Sequence, residues 1–304
     1  MKGFLPGKNP LKEYSISSSA PLNRLHEIAT SLPKLLLTGR VPRTIKSLKK
    51  NELSIEELLV KKSKRDLKLA MVQLSFIAHS FVWGGRKPKE RLPEVIAKPW
   101  VQVARFLGRP PVLSYASYCL DNWFLLEKEP ISLENVGLIN NFLGGVDEDW
   151  FVTVHVCIEH AAAEAVEAAE ALSQCNSDTK EKEIKSLLIK IHKSLVEVIE
   201  IFSRMTERCD PYIYYHRVRP FIFGSKDNPD LKSGLIFENQ FENTAQFYRG
   251  ETGAQSSIVP SLDGALGIQH SNDTLRHYLN EMREYMPPNH RRFIEKLESS
   301  SQIR

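Results

Sequence analysis

"DEDWFVTVHVCIEHAAAEAVEAAEALSQC", residues 147 to 175, decides the fold class. Its second half is rich in Ala and Glu, both strong helix formers. Its first half is β-branched and apolar, so burial against other elements must hold it as a helix. The next stretch, residues 178 to 205, repeats Leu187, Ile191, Val198, Ile201 and Met205 near the helical period, with lysines and glutamates between them. Two long helices in succession, with few strand signals elsewhere, make the chain mainly α.

The flanking sequence extends this pattern. Residues 54 to 85, "SIEELLVKKSKRDLKLAMVQLSFIAHSFVWGG", open on a capping signal and read as one helix stopped at Gly84-Gly85. A shorter helix bounded by prolines is expected over residues 91 to 111. Another is expected over "VLSYASYCLDNWFLL", residues 112 to 126, after Pro110-Pro111. "DPYIYYHRVRPFIF", residues 210 to 223, begins with a helix-start signal at Asp210-Pro211, and residues 273 to 300 give two helices around Pro287-Pro288. The first fifty residues, rich in Pro, Ser and Lys, read as short helices and coil. No internal repeat is visible.

Composition narrows the function classes. The chain has 304 residues, 42% hydrophobic and 26% charged, as in ordinary soluble proteins. A net charge of +4 is too mild to argue for a nucleic acid or an acidic membrane as partner. There is no apolar run of membrane-spanning length and no signal-peptide core at the start. Cys119, Cys157, Cys175 and Cys209 are scattered without metal-site or disulfide spacing. A cytoplasmic protein with reduced thiols is expected, as a monomer or weak homo-oligomer.

Three segments carry candidate chemistry. In "HVCIEH", His155 and His160 are five apart, roughly 140° around a helix, so they cannot share a zinc ion as the four-apart spacing would allow. The expectation is one inward histidine, His155, sharing a face with Phe151, and a solvated Glu159-His160 pair. Arg217 and Arg219 are two apart, about 200° on a helix, so one should look inward and need a carboxylate or phosphate from protein or ligand. "GETGAQSS", residues 250 to 257, has the small residues that let a backbone approach a ligand closely, but it is neither a P-loop nor a dinucleotide fingerprint.

Taken in order, these pieces resemble the indoleamine 2,3-dioxygenase family of haem proteins. The resemblance runs from about Leu74 to about Leu297. It rests on "FVWGG", "LPEVIAKPW", "RPPVLSYASYCLDNW", "DPYIYYHRVRPFIFG", "GLIFEN", "GAQSSIVPSLDGALGIQ" and "MREYMPPNHRRFIEKLES". The first fifty residues match poorly. The resemblance implies a small mixed N-terminal domain, residues 1–105, and a large all-α haem-pocket domain, residues 106–304. It implies haem b and O2, with L-tryptophan converted to N-formylkynurenine.

The resemblance also implies roles for residues. Arg219 would grip the substrate carboxylate while Arg217 faces outward. Phe151 would pack on the indole, with Tyr115, Tyr118 and Cys119 lining the pocket. Thr252 and Gly253 would lie near haem and substrate, and Tyr214 and Ile222, with Gly253, near the cofactor. His155 stands where the animal enzymes have serine. It is similar to the histidine of tryptophan 2,3-dioxygenases that bonds the indole N–H, and so is the candidate catalytic residue. No residue matches the family's proximal iron ligand. His270, His277 and His290 lie in other segments, and a proximal histidine is expected beyond Arg304, after a serine-rich stretch that reads as a loop. Two further readings stand beside the dioxygenase: a same-fold haem enzyme that rearranges a halogenated tryptophan, and a haem- or indole-binding protein without turnover.

Overall fold

One helix with no polar face organises the molecule. In the computed structural model, which describes residues 3–15, 19–268 and 270–301, Lys64–Trp83 (α5) is buried from Leu67 to Val82 apart from Lys68, which is half-buried. A helix that is apolar all round must be covered on every side. The covering elements are Ala20–Thr30 (α1), Leu32–Leu37 (α2), Val41–Lys46 (α3), Glu56–Lys61 (α4), Glu94–Leu107 (α6) and a turn at residues 116–120. Most buried polar side chains of α5 find partners, although the Ser80 hydroxyl has none. The Trp100 indole N–H donates to Ser75 Oγ at 3.1 Å, and Tyr14 donates to Gln73 at 2.8 Å.

A second, smaller core lies between Val146–Ala161 (α7), Ala163–Leu172 (α8), Glu181–Ser203 (α9), Ile258–Leu266 (α12) and Pro288–Ser300 (α14). Pro211–Ile213 (α10), Arg219–Ile222 (α11) and Thr274–Arg283 (α13) complete the α-helices among the described residues. The class is mainly α, as the sequence indicates. No helix among the described residues is long and apolar enough to cross a membrane, and the four cysteines are buried free thiols.

Several boundaries differ from the sequence reading. The helix expected over residues 54–85 breaks at Lys62, which adopts a left-handed conformation (φ 51°) between α4 and α5. The long helix from residue 147 is interrupted at Ala162. The helix expected over residues 112–126 shrinks to a π-helical turn, Ala116–Leu120, followed by a strand, Trp123–Leu125 (β2). That strand pairs antiparallel with Val136–Leu138 (β3), and Asn122 and Asn140 lock the pair through two 2.8 Å hydrogen bonds. Arg91–Leu92 (β1), Leu235–Phe237 (β4) and Ala245–Gln246 (β5) form a second small sheet, parallel between β1 and β4 and antiparallel between β4 and β5. These strands are too short for a period-2 pattern to show in the sequence. The serine-rich C-terminal stretch continues as α14 to Ser300, while residues 302–304 lie outside the described residues.

Candidate active site

The helix α7 brings Phe151 and His155 to one face, one turn apart, with ring centroids 4.3 Å from each other. Tyr214 stacks on Phe151 from the opposite segment at 4.1 Å and 20°. Tyr118 approaches Phe151 at 6.3 Å, and Tyr115 meets His155 edge-on at 5.9 Å. Tyr214 donates a long hydrogen bond to the Tyr118 hydroxyl, at 3.5 Å. Five of the residues singled out in the sequence, from three separate segments, therefore form one aromatic cluster. Cys119 lies on the same turn as Tyr118 and is fully buried, and burial pushes its thiol well up.

His155 has a fixed tautomer. Its Nδ1 lies 2.7 Å from the Phe151 carbonyl, which can only accept, so Nδ1 carries the proton. Burial lowers its pKa, so the ring is neutral and Nε2 is an acceptor. A second neutral histidine ties this region together. His79 Nδ1 donates to the Phe221 carbonyl at 2.7 Å, and His79 Nε2 accepts from the Leu113 N–H at 3.0 Å. Burial lowers its pKa to about 4.

A model of the indoleamine 2,3-dioxygenase family matches residues 1–304, so the match extends through the first fifty residues as well. The chain belongs to the indoleamine 2,3-dioxygenase family. It is similar to indoleamine 2,3-dioxygenase 1 of Rattus norvegicus, with 36% identity over 91% of this chain and 68% of the rat protein. It is 30% identical to the indoleamine 2,3-dioxygenase of Saccharomyces cerevisiae, over 99% of this chain and 69% of the yeast protein. A 6-hydroxytryptophan 2,3-dioxygenase of Fusarium equiseti is also 30% identical, over 99% of this chain and 73% of its own. The chain is thus an oxidoreductase of the indoleamine 2,3-dioxygenase kind.

Around this family member's aromatic cluster, two carboxylates and two arginines depart from the sequence reading. Glu159, expected to be solvated beside His160, is fully buried, while His160 is exposed. Glu159 Oε1 accepts from the Tyr115 hydroxyl at 2.9 Å and from Ser256 Oγ at 2.7 Å, while Oε2 has no partner. Burial pushes its carboxyl up to about 7, against those two hydrogen bonds. Arg217 and Arg219 are both exposed. The inward-outward division fails because Tyr214–Val218 is a π-helical turn, whose wider winding spoils the two-residue angle of an α-helix. Arg219 lies 5.2 Å over the Tyr215 ring, and its charge reaches a carboxylate the sequence reading passed over, Glu251.

The loop at residues 250–257 is pinned to the cluster at several points. Gln255 accepts from the Tyr115 backbone N–H at 2.8 Å and donates to the Gly250 carbonyl at 2.9 Å. Ser256 joins it to Glu159 on α7. Thr252 and Gly253 lie on this loop, with Thr252 half-buried and Gly253 exposed. Ile222 is buried, and its carbonyl accepts from the Glu251 N–H at 3.0 Å. Glu159 could have been found in the sequence, since it stands four residues after His155 on the same helix face. Gln255 and Ser256 carried no such signal.

On the other side of the loop opens a cleft of about 710 Å³. Gly253, Ala254 and Ser256 border it, with Val259, Ile268 and Met286 among its apolar walls and Arg276 and Arg283 among its cations. His270 also lines it, with Nε2 bonded to Asp263 at 2.8 Å. His290 is buried elsewhere, against the Phe4 ring at 4.8 Å and near Ser257 Oγ.

Proposed function

We propose that the protein is a haem-dependent dioxygenase that inserts both atoms of O2 across the indole C2–C3 bond of L-tryptophan, giving N-formylkynurenine. The observation that carries this reading is the neutral His155, whose Nε2 accepts a hydrogen bond beside an aromatic cluster. An indole N–H is the matching donor. Phe151 stacks on the indole, and Tyr115, Tyr118 and Cys119 border it. Arg219 binds the carboxylate, as a guanidinium with no protein ion pair among the described residues.

The cleft fits a flat apolar group with anionic edges. Its glycine leaves open space at Gly253, where an added Cβ would meet nothing within 4 Å. Gly253 would border haem b there, while Tyr214 and Ile222, the other two residues expected beside the cofactor, are buried outside the lining of this cleft. His270 lines the same cleft, with Nε2 held by Asp263 at 2.8 Å. Haem, when bound, supplies the activation of O2. The residues themselves orient the indole, hold its N–H and exclude water.

The Fusarium relative, named for 6-hydroxytryptophan, favours a second reading in which a ring-substituted tryptophan is the substrate, oxidised or rearranged. Product analysis separates the two. With haem and reductant, the intact protein should consume one O2 per L-tryptophan and form N-formylkynurenine. A rearranged product from chlorotryptophan alone would support the second reading. No spectral change on adding haem would remove both and leave an indole-binding protein.

A further inference from the structure

The side chain of Glu251 is an acid without a counterpart. Its Oε1 is shielded from solvent and has no hydrogen-bond partner. Among the described residues it makes no ion pair, and neither does Arg219, although Arg219 is close enough for its charge to act on the carboxylate. The charge of Glu251 is also felt by Tyr115, Tyr118, Cys119 and Tyr214, the residues that build the aromatic cluster. One acidic and one basic side chain therefore stand near the aromatic cluster, unbonded to each other.

Their positions are rigidly related. The Glu251 N–H donates to the Ile222 carbonyl at 3.0 Å, and the Lys226 N–H donates to the Tyr248 carbonyl at 3.0 Å. Two glycines make this approach possible. A Cβ on Gly250 would fall 2.0 Å from the Ile222 carbonyl oxygen, and one on Gly224 would fall 2.1 Å from the Tyr248 oxygen. The backbone of Glu251 is thus clamped to the last residue of α11, the helix that Arg219 begins.

We propose that Glu251 is a specificity-determining residue that binds the ammonium group of an aromatic α-amino acid while Arg219 binds its carboxylate. This rests on the reading of the pocket as an indole amino-acid site and adds the group that reads its second charge. Glu251 is half-buried, and a shielded, unpartnered carboxylate oxygen is costly; an ammonium supplies both the donor and the charge it lacks. Burial pushes the Glu251 carboxyl up to about 8, against the pull of Arg219, so the group holds its proton near neutral pH and a cation would ionise it.

Binding of three ligands to the intact protein tests this: L-tryptophan, indole-3-propionate, which lacks the ammonium, and tryptamine, which lacks the carboxylate. Unmodified protein should bind L-tryptophan at least about tenfold more tightly than indole-3-propionate. Glu251→Gln should remove that advantage, weakening L-tryptophan and tryptamine while leaving indole-3-propionate within about twofold. Arg219→Ala should weaken both carboxylates and spare tryptamine. If Glu251→Gln weakens all three ligands equally, or none, Glu251 is a structural residue and the ammonium site is wrong. Equal binding of L-tryptophan and indole-3-propionate by the unmodified protein overturns it without any variant. If the unmodified protein binds none of the three, the indole amino-acid reading of the pocket falls and the ammonium site falls with it.

Discussion

Asp121 and Glu251 are both carboxylates drawn out of water, yet their surroundings are opposite. Asp121 is 4% exposed and closed on both oxygens, with Lys68 Nζ at 2.7 Å from Oδ1 and Arg109 Nη2 at 3.3 Å from Oδ2. Burial pushes its carboxyl up, but the charges of Lys68 and Arg109 outweigh it and hold the group below its ordinary range. Glu251 has an arginine in electrostatic reach and no bond to it. The first cluster ties α5 to the segments on either side of the π-turn. The second leaves the two side chains without a bond to each other. A closed set of buried charges serves the fold, and an open one is where a ligand of matching charges can complete the pairing.

The comparison can be broken most strongly at its closed end. Asp121→Asn leaves Arg109 and Lys68 without their counter-charge, and should cost about 3–5 kcal/mol of stability by denaturant unfolding. A loss below 1 kcal/mol would show the cluster to be dispensable. At the open end, Arg219→Ala should cost L-tryptophan about 2–4 kcal/mol of binding while indole binding and thermal midpoint hold. Arg217→Ala is the control and should do little. His155→Ala should lower kcat/KM for L-tryptophan by about 1–3 kcal/mol and narrow the gap to 1-methyltryptophan, whose nitrogen has no proton to donate. Loss of fold in that variant would instead make His155 a core residue.

The last contrast between the two acids is a difference of sign with pH. The folded-state pKa of Glu251 is raised from 4.5 to about 8, so between those values the folded protein holds a proton the unfolded chain has released. Its contribution is therefore present at low pH and lost as pH rises through that window. Glu251→Gln cannot titrate, so its stability relative to the unmodified protein should rise between pH 4.5 and about 8, by as much as about 1.4 kcal/mol per pH unit. Asp121 behaves the other way: its pKa is lowered, and its contribution is lost as pH falls below the ordinary carboxylate range. Unfolding curves at several pH values would show whether the two acids diverge.

The helices were legible where one face repeats. The spacing of Leu187, Ile191, Val198 and Ile201 places α9, and Gly84 ends α5 as expected. The site residues sit where that reasoning weakens. Ala116–Leu120 and Tyr214–Val218 are π-helical turns, and no spacing rule announces a turn whose winding is set by what packs against it. An α-helical spacing puts the paired arginines on opposite faces, and the π-turn leaves both exposed. The burial of Glu159 depends on Ser256, 97 residues away. Glu251 differs again, since its surroundings depend on two glycines in different segments meeting backbone to backbone. The aromatic residues were legible because a known family carries them in the same order, and the sequence around them supports that likeness without specifying their contacts.

His79 has a consequence for this arrangement. Its ring spans from the Phe221 carbonyl on α11 to the Leu113 N–H just before Tyr115, donating to one and accepting from the other. The neutral imidazole is a strut of fixed length between the helix that starts with Arg219 and the turn that carries the pocket tyrosines. A second proton would turn its accepting nitrogen into a donor facing another donor, so the strut would release at Leu113 and stay fastened at Phe221. With its pKa lowered to about 4, that release belongs to acid conditions. Near neutral pH, the separation between the arginine's helix and the tyrosines' turn is gauged by a ring that takes part in neither.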